Sequence, residues 1–177
     1  LGFKKYQSFW EWSVTSKADF WQQTMENLDI YLKQDYVNIV DTSKGSDKAK
    51  WLKGAEMNIV DSCFQNDNQR TAVIYQDKNG TINKISKKEL LNSVNQIANS
   101  LCNMGLKPGD KIAVFMPMTY ESVAIYLAGI KAGFPVVTIA DSFSTSEISV
   151  RLKITQPKVI FTQDVLQRAD RSLPLYN

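Results

Sequence analysis

The fold class of this chain is decided by residues 112–139, which read IAVFMPMTYESVAIYLAGIKAGFPVVTI. A short run of consecutive apolar residues stands at either end, at 112–116 and 136–139, and such runs are typical of strands buried on both faces. Residues 119–132 between them are apolar on most sides and precede Gly133, which predicts a helix that ends at that glycine. Two buried strands joined by a helix predict a parallel sheet with a right-handed crossover.

The same alternation continues towards the amino terminus. Residues 72–76 and 82–85 predict the two strands of a hairpin, because Asn79-Gly80 between them favours the positive φ of a tight turn. Ser86 and Glu89 then form an S-x-x-E capping box, which predicts the start of an amphipathic helix. A strand pair is therefore expected to lead into the first helix of the α/β region.

Towards the carboxyl terminus, Ser144 opens a second S-x-x-E capping box and a helix to about residue 154. Residues 159–162 predict a third buried strand, and residues 164–171 predict a last helical turn. The predicted fold class is α/β, with part of a parallel sheet flanked by helices and an irregular helical leader before it. No closing strand or helix is evident near residue 177, so the sheet is expected to be incomplete.

The leader is distinct in composition, because it contains all four tryptophans of the chain. Ser16 is expected to cap a helix over residues 16–32, and Asn58 a short helix over 58–64. Residues 42–53, in which lysines alternate with Gly and Ser, predict an exposed loop. The predicted domains are a leader at 1–70 and the first part of an α/β domain at 71–177.

Composition excludes several classes of chemistry. The 177 residues include 44% hydrophobic and 22% charged residues, so the chain has enough apolar material for a core. It has no histidine, which excludes histidine-based catalytic triads and histidine metal ligands. Two cysteines, Cys63 and Cys102, exclude a disulfide scaffold, and no metal site is predicted. A net charge of +3 is too balanced to indicate a nucleic-acid partner.

No membrane partner is predicted either. The most apolar stretch, residues 123–139, contains Lys131, Gly133 and Pro135, and it is better explained by a helix, a turn and a strand. Residue 1 is Leu and no signal peptide is visible, so we expect a fragment of an intracellular protein. The expected compartment is the cytoplasm by default, with the peroxisome as the alternative in a eukaryote.

Arg168 and Arg171 are the most suggestive candidates for a binding site. In the predicted helical turn, a spacing of three residues places them on one face. The planar guanidinium group donates two parallel hydrogen bonds to a phosphate, which favours a phosphate-binding role. The alternative is that the two arginines lie at a solvated helix end without a binding role. No glycine-rich phosphate loop of the G-x-G-x-x-G or G-x-x-x-x-G-K type occurs in the chain.

An ordered series of segments runs almost from end to end of the chain. It comprises residues 9–13 (FWEWS), 18–21 (ADFW), 51–58 (WLKGAEMN), 105–117, 121–133, 139–143 (IADSF), 147–148 (EI), 151–153 (RLK), 160–164 (IFTQD) and 174–176 (PLY). This series resembles the adenylate-forming acyl-CoA synthetases, on the branch of the acetyl-CoA synthetases and close to the plant-type acyl-activating enzymes.

The resemblance implies a two-step reaction. A carboxylic acid attacks the α-phosphate of ATP to give an acyl-adenylate and pyrophosphate, and the thiol of CoA then gives acyl-CoA and AMP. Magnesium is implied as the ion that neutralises the polyphosphate charge. Arg168 and Arg171 match a segment that touches the nucleotide end of CoA. Where many acetyl-type enzymes have an aromatic residue and two glycines against the CoA adenine, this chain has Ala140-Asp141-Ser142.

The catalytic parts of the family are not expected in this chain. Its Ser/Thr/Gly-rich phosphate loop, its adenine-binding motifs and its carboxy-terminal lid lie further along in family members. We therefore expect a fragment with no catalytic residue of its own, inactive by itself and without tightly bound cofactors. The alternative is a stand-alone, non-catalytic binding or interaction module with a flavodoxin-like half-domain.

Overall fold

The computed structural model describes residues 2–66, 68–77, 79–168 and 171–175, with Arg168 and Arg171 described by their backbone alone. The chain divides into two compact units, residues 1–63 and residues 64–177. Within the described ranges, no helix is both long and apolar enough to cross a membrane.

The first unit begins with two helices, α1 (Tyr6–Thr15) and α2 (Lys17–Asn27). The prediction of one helix over residues 16–32 is wrong at its end, since α2 ends at Asn27. The expected cap is also wrong, because the Ser16 side chain makes no capping hydrogen bond. Instead the backbone N–H of Ser16 donates to Trp12 O at 2.8 Å, so that Ser16 ends one helix before the next begins.

A short hairpin follows in the same unit. Strand β1 (Asn38–Asp41) pairs with β2 (Lys50–Lys53) in antiparallel register, with Val40 opposite Trp51. The prediction of a loop over residues 42–53 is therefore wrong over β2. Three of its four residues are exposed, which explains why its lysine-rich composition resembles that of a loop. Helix α3 (Ile59–Cys63) starts as predicted after Asn58, whose Oδ1 accepts a hydrogen bond from the Val60 N–H at 3.1 Å.

The second unit opens with the predicted hairpin of β3 (Thr71–Gln76) and β4 (Ile82–Ser86). Its turn is organised by Asp77, whose Oδ1 accepts hydrogen bonds from the backbone N–H groups of Asn79 at 2.8 Å and Thr81 at 2.9 Å. Gly80 adopts a φ of 81°, the left-handed conformation that the Asn-Gly pair predicts.

The three buried strands form the predicted parallel sheet. They are β5 (Ile112–Phe115), β6 (Val136–Ile139) and β7 (Val159–Phe161), in the order β6–β5–β7. The helices are α4 (Lys87–Asn103) before the sheet, α5 (Tyr120–Lys131) between β5 and β6, and α6 (Thr145–Thr155) between β6 and β7. All three strands and the helices α5 and α6 lie within two residues of their predicted bounds, and α4 begins directly after its predicted cap, Ser86.

All three helices of the second unit begin with a reciprocal capping box. Ser86 pairs with Glu89 at α4 and Ser144 with Glu147 at α6, as predicted, and Thr119 pairs with Ser122 at α5. In each box the hydroxyl accepts a hydrogen bond from the backbone three residues later, while the later side chain accepts one from the backbone of the cap. The strand-to-helix connections are therefore fixed locally.

The core of this unit contains three apolar clusters. In the first cluster, helices α4 and α5 pack together through small and aliphatic side chains. The second and third clusters each combine residues of the parallel sheet with residues outside it. Gly129 lets α5 lie close to the sheet, because a Cβ there would lie 2.6 Å from Ile112 Cδ1. The buried members of the clusters are Leu90, Val94, Ala98, Ala124 and Ala128; Leu101, Ile112 and Phe134; and Ala113, Phe115 and Ile139.

The last described elements are β8 (Val165–Arg168) and β9 (Arg171–Pro174), which pair as an antiparallel hairpin. The prediction of a helical turn over residues 164–171 is wrong. Val165 and Gln167 are exposed while Leu166 between them is 5% exposed, so the burial follows the period of two that belongs to a strand.

Candidate functional site

The carboxyl ends of the three parallel strands define the candidate site. Because β5, β6 and β7 run in the same direction, the residues that follow them emerge at one edge of the sheet. These segments are 116–119 after β5, 140–143 after β6 and 162–164 after β7. Ligands of open parallel sheets bind beyond this edge, which makes it the place to look for a site.

The segment after β6 is a tight turn, which we call the 140–143 loop. Its last residue closes it, since the Phe143 N–H donates to Ala140 O at 3.1 Å. The Phe143 ring packs against the buried cluster of Ala113, Phe115 and Ile139. Asp141 is half-buried and Ser142 is exposed, so the middle of the loop presents polar groups at the edge of the sheet.

Arg151 on α6 also contacts this loop. Its Cζ lies 3.9 Å from the centroid of the Phe143 ring, which is the geometry of a cation–π contact. The sequence analysis did not identify this contact. The two residues are eight positions apart across a turn and a helix start, and no local pattern indicates that they meet.

The β8–β9 hairpin is anchored to the same core cluster. Leu175, which follows β9, packs against it, and the Leu175 N–H donates to Asp164 O at 2.9 Å. Across the hairpin, Gln167 Nε2 donates to Ser172 Oγ at 2.8 Å. The hairpin and the 140–143 loop are therefore both tied to the cluster beneath the carboxyl ends of β5 and β6.

The predicted pair Arg168 and Arg171 falls on this hairpin. The pair does not lie on a helix, but the register of β8 and β9 places the two residues directly opposite each other. Opposed residues of an antiparallel pair lie on one face of the hairpin, whereas the prediction placed the two arginines on one face of a helical turn. A role for the pair in binding phosphate stays a prediction.

A cavity of about 480 Å³ lies at the carboxyl ends of β5 and β6, against α5. Its lining is mostly apolar and carries no charged residue; it includes Met116, Pro117, Met118, Tyr126, Ile139 and Ala140. Such a lining suits an apolar group rather than a polyphosphate.

Electrostatics in the described part of the chain point to structural roles for its carboxyl groups. Five of them have a pKa below the ordinary value, in each case chiefly because a backbone N–H donates a hydrogen bond to the carboxylate. These groups are Asp41, Asp77, Glu89, Asp110 and Glu147. They sit at turns and helix caps, and a lowered pKa keeps them ionised. Among the described residues, no group of three or more His, Cys, Asp or Glu is placed to hold a metal ion.

Two protein-family models match the chain. The model described as AMP-binding enzyme matches residues 60–175, and the model described as acetyl-coenzyme A synthetase N-terminus matches residues 6–63. Together they cover both units of the fold.

Curated relatives match over almost the whole chain. It is 41% identical to a probable peroxisomal acyl-activating enzyme 17 of Arabidopsis thaliana and 35% identical to a hexanoyl-CoA synthase of Cannabis sativa, each over 97% of the chain and 25% of the relative. It is 29% identical to the acetyl-coenzyme A synthetase of Escherichia coli K12, over 97% of the chain and 27% of that protein. The chain therefore spans about a quarter of the length of these relatives.

A solved structure shares the fold. Acetoacetyl-CoA synthetase from Streptomyces lividans superposes with a TM-score of 0.89 at 23% identity, over 98% of this chain and 27% of that one. This likeness confirms the α/β fold class. The family is shown by the sequence model, which matches more than half of the residues. The chain belongs to the family of AMP-binding enzymes, with a segment of the acetyl-coenzyme A synthetase type at its amino-terminal side.

Proposed function

We propose that this chain is the amino-terminal part of an AMP-forming acyl-CoA synthetase. Such an enzyme joins a carboxylic acid to CoA through an acyl-adenylate, using ATP and releasing pyrophosphate and AMP. The observation that carries the proposal is the match of 97% of the chain to relatives named as acyl-activating enzymes and CoA synthetases. In this assignment residues 1–70 are the leader segment and residues 71–177 are the first part of the AMP-binding domain.

Within that enzyme, the chain supplies scaffold and part of the CoA entrance. The glycine-poor segments at its sheet edge offer no phosphate loop for ATP. We assign the magnesium ion to the ATP polyphosphate, whose charge it neutralises. The proposed partners are three small molecules, a carboxylic acid, ATP and CoA, with neither nucleic acid nor membrane among them. We place the enzyme in the cytoplasm, with the peroxisome as the alternative in a eukaryote.

Arg168 and Arg171 are the proposed contacts for the phosphates at the nucleotide end of CoA. The register that opposes the two residues supports this role, because opposed positions of a hairpin lie on one face and a guanidinium group donates two parallel hydrogen bonds to a phosphate. A charge-assisted hydrogen bond contributes about 1.5–3 kcal/mol. The 140–143 loop is the proposed neighbour of the CoA adenine, and its Asp141 and Ser142 are the residues expected to alter that contact.

The test uses the full-length protein that contains this chain. Replacing Arg168 and Arg171 singly by Ala is expected to raise the KM for CoA about tenfold or more, which corresponds to the loss of one such bond. ATP–pyrophosphate exchange, which reports the adenylation step alone, is expected to stay near the wild-type rate. Arg70→Ala is the matched control, since it removes an exposed arginine from the other end of the unit. Equal losses in both half-reactions would show that the pair is structural.

A second candidate is a stand-alone binding module. It is favoured by one observation, namely that residues 64–177 form a compact unit with its own buried clusters. The two candidates differ in the reading frame beyond Asn177. A stop codon there supports the module, whereas a Ser/Thr/Gly-rich loop ending in Lys further along supports the synthetase. With a panel of carboxylic acids, the synthetase predicts pyrophosphate exchange by the longer protein and none by the 177 residues alone.

A further inference from the structure

The guanidinium group of Arg151 contacts both the Phe143 ring and the backbone of α6. The guanidinium lies over the ring at 3.9 Å, and its Nη1 also donates to the backbone carbonyl of Glu147 at 3.0 Å. Both side chains are half-buried, so water screens the contact less than it would at the open surface. A planar guanidinium can satisfy a carbonyl with one edge and a ring with its face, which the ammonium of a lysine cannot do.

Phe143 is the residue through which this contact reaches the 140–143 loop. It closes the loop through its N–H bond to Ala140 O, and its ring rests on the cluster of Ala113, Phe115 and Ile139. The next residue, Ser144, begins α6. The Phe143 ring thus contacts Arg151 of α6 and also packs against the core from which the loop departs.

The start of α6 reinforces the same arrangement. Ser144 Oγ donates to Glu147 Oε2 at 2.7 Å, and the Ser144 N–H donates to the same oxygen at 2.9 Å. The pKa of the Glu147 carboxyl is lowered first by the Ser144 N–H and further by the nearby charge of Arg151. A single arginine therefore contacts both the first turn of α6, at the Glu147 carbonyl, and the last residue of the loop.

We propose that Arg151 is a positioning residue for CoA, which acts by clamping Phe143 and so fixing the path of the 140–143 loop. The inference rests on the proposed function, in which this loop lies beside the CoA adenine. Arg151 touches neither the reacting atoms nor, in this arrangement, the CoA itself. Without the guanidinium, the Phe143 ring loses its cover on one face, and the backbone from Ala140 onwards samples other paths. CoA binding must then also order the loop, and the cost of this ordering weakens the affinity for CoA.

The kinetic test compares variants of the full-length protein. Arg151→Ala is expected to raise the KM for CoA about three- to tenfold, the range of a partly desolvated cation–π contact. Arg151→Lys is expected to recover part of the loss, because it keeps the cation without the planar fork. ATP–pyrophosphate exchange is expected to stay within about twofold of the wild type. Lys153→Ala is the matched control, since it removes an exposed cation two residues along the same helix.

A double-mutant cycle tests whether Arg151 acts on the 140–143 loop through the Phe143 ring. Phe143→Leu keeps an apolar side chain on the core but removes the aromatic face, so it is expected to raise the KM for CoA by a similar factor. The double variant with Arg151→Ala is expected to lose little more than either single variant. Losses that simply add would overturn the clamp, and so would an unchanged KM for CoA in Arg151→Ala or equal damage to both half-reactions.

Amide hydrogen exchange separates this inference from the proposed function. The Phe143 amide, which is bonded to Ala140 O, is expected to exchange about three- to tenfold faster in Arg151→Ala and unchanged in Lys153→Ala. If its exchange does not change, the clamp is wrong even when the wild type uses CoA. If the wild type shows no CoA-dependent turnover, the proposed function fails and the role of Arg151 towards CoA fails with it.

Discussion

The two units of this chain use apolar side chains in different ways. Of the sixteen described apolar residues that are buried, only Ile39 and Val60 belong to residues 1–63. All four tryptophans also lie in the first unit, yet Trp10, Trp21 and Trp51 are each 44–47% exposed. The second unit buries mainly aliphatic residues, together with Phe115 and Phe134, around its parallel sheet. Apolar composition alone therefore does not indicate where a core forms.

Packing geometry explains the difference. The first unit contains a chain of ring contacts with centroids 5.3–6.1 Å apart, several of them edge to face, which runs from Phe3 through Phe20 to Trp51. Aromatic pairs of this kind remain favourable while their outer faces stay exposed. In the second unit, Ala124 and Ala128 let α5 approach α4 closely, and aliphatic side chains fill the remaining space.

The largest effect is expected in the core of the second unit. Phe134→Ala removes a ring that is 2% exposed and packed against Leu101 and Ile112, so it is expected to lower the free energy of unfolding by about 3–5 kcal/mol. Trp51→Ala in the first unit is the counterpart and is expected to lose only about 1–2 kcal/mol, because half of that ring is already exposed. Urea denaturation followed by far-UV circular dichroism measures both. Equal losses of unfolding free energy in the two variants would show that the two units do not differ in how much their buried and half-exposed rings stabilise them.

The close approach of α5 to the sheet gives the next largest effect. In Gly129→Ala the new Cβ would meet Ile112 Cδ1 at 2.6 Å and Val136 Cγ2 at 2.7 Å, so a loss of about 1–3 kcal/mol is expected. Adding Ile112→Val deletes the nearer methyl group and is expected to recover part of the loss, again by urea denaturation. A double variant no better than the sum of the single variants would contradict the steric cause.

Helix caps give a smaller contrast between the units. Ser144→Ala removes a complete capping box from α6 and is expected to lower the free energy of unfolding by about 1 kcal/mol. Ser16→Ala is the matched control in the first unit, because the Ser16 side chain makes no capping bond, and it is expected to lose less than about 0.5 kcal/mol. Thermal denaturation of both variants compares them directly. A loss at Ser16 as large as that at Ser144 would show that its hydroxyl does cap α2.

Acid is expected to act mainly on the second unit. Four of the five described carboxyls with a lowered pKa lie there, at Asp77, Glu89, Asp110 and Glu147. A pKa lowered on folding stabilises the protein above the ordinary values of 3.8 for Asp and 4.5 for Glu, and this stability is lost as the pH falls through the folded pKa. With no histidine in the chain, stability is expected to be flat from about pH 7 to pH 5.

Amide exchange resolved by region at pH 7, 5 and 3.5 measures this effect. Protection is expected to fall earlier in residues 64–177 than in residues 1–63. A decline that begins near pH 6, or one confined to the first unit, would contradict this account.

Local signals in the sequence explain which elements could be predicted. The strands β5, β6 and β7 are short apolar runs, and the helices between them begin with capping boxes or end at a glycine, so their bounds follow from neighbouring residues. Strand β2 and the β8–β9 hairpin carry weak local signals and depend on pairing with a partner strand. Pairing is a long-range property that a single short segment does not reveal.

The candidate site shows the same limit. A spacing of three residues between Arg168 and Arg171 fits one face of a helix and equally fits opposite positions across a hairpin with two residues between the strands. The sequence therefore assigned the pair to a helical turn, whereas the structure places both residues in a hairpin. The contact of Arg151 with Phe143 needs the turn after β6 and the direction of α6 together, so it emerges only from the folded chain.

The order β6–β5–β7 places a strand at each margin of the three-stranded sheet. Each outer margin presents backbone donors and acceptors that no described strand meets, and a row of this kind is a template for adding a further strand. The β-branched run Val136–Ile139 stands at one margin, which makes it the natural starting point for aggregation when the 177 residues are concentrated alone. In a longer polypeptide that continued the sheet on both sides, both margins would be paired and this route to aggregation would be removed. Solutions of the 177 residues alone are expected to aggregate less at low concentration.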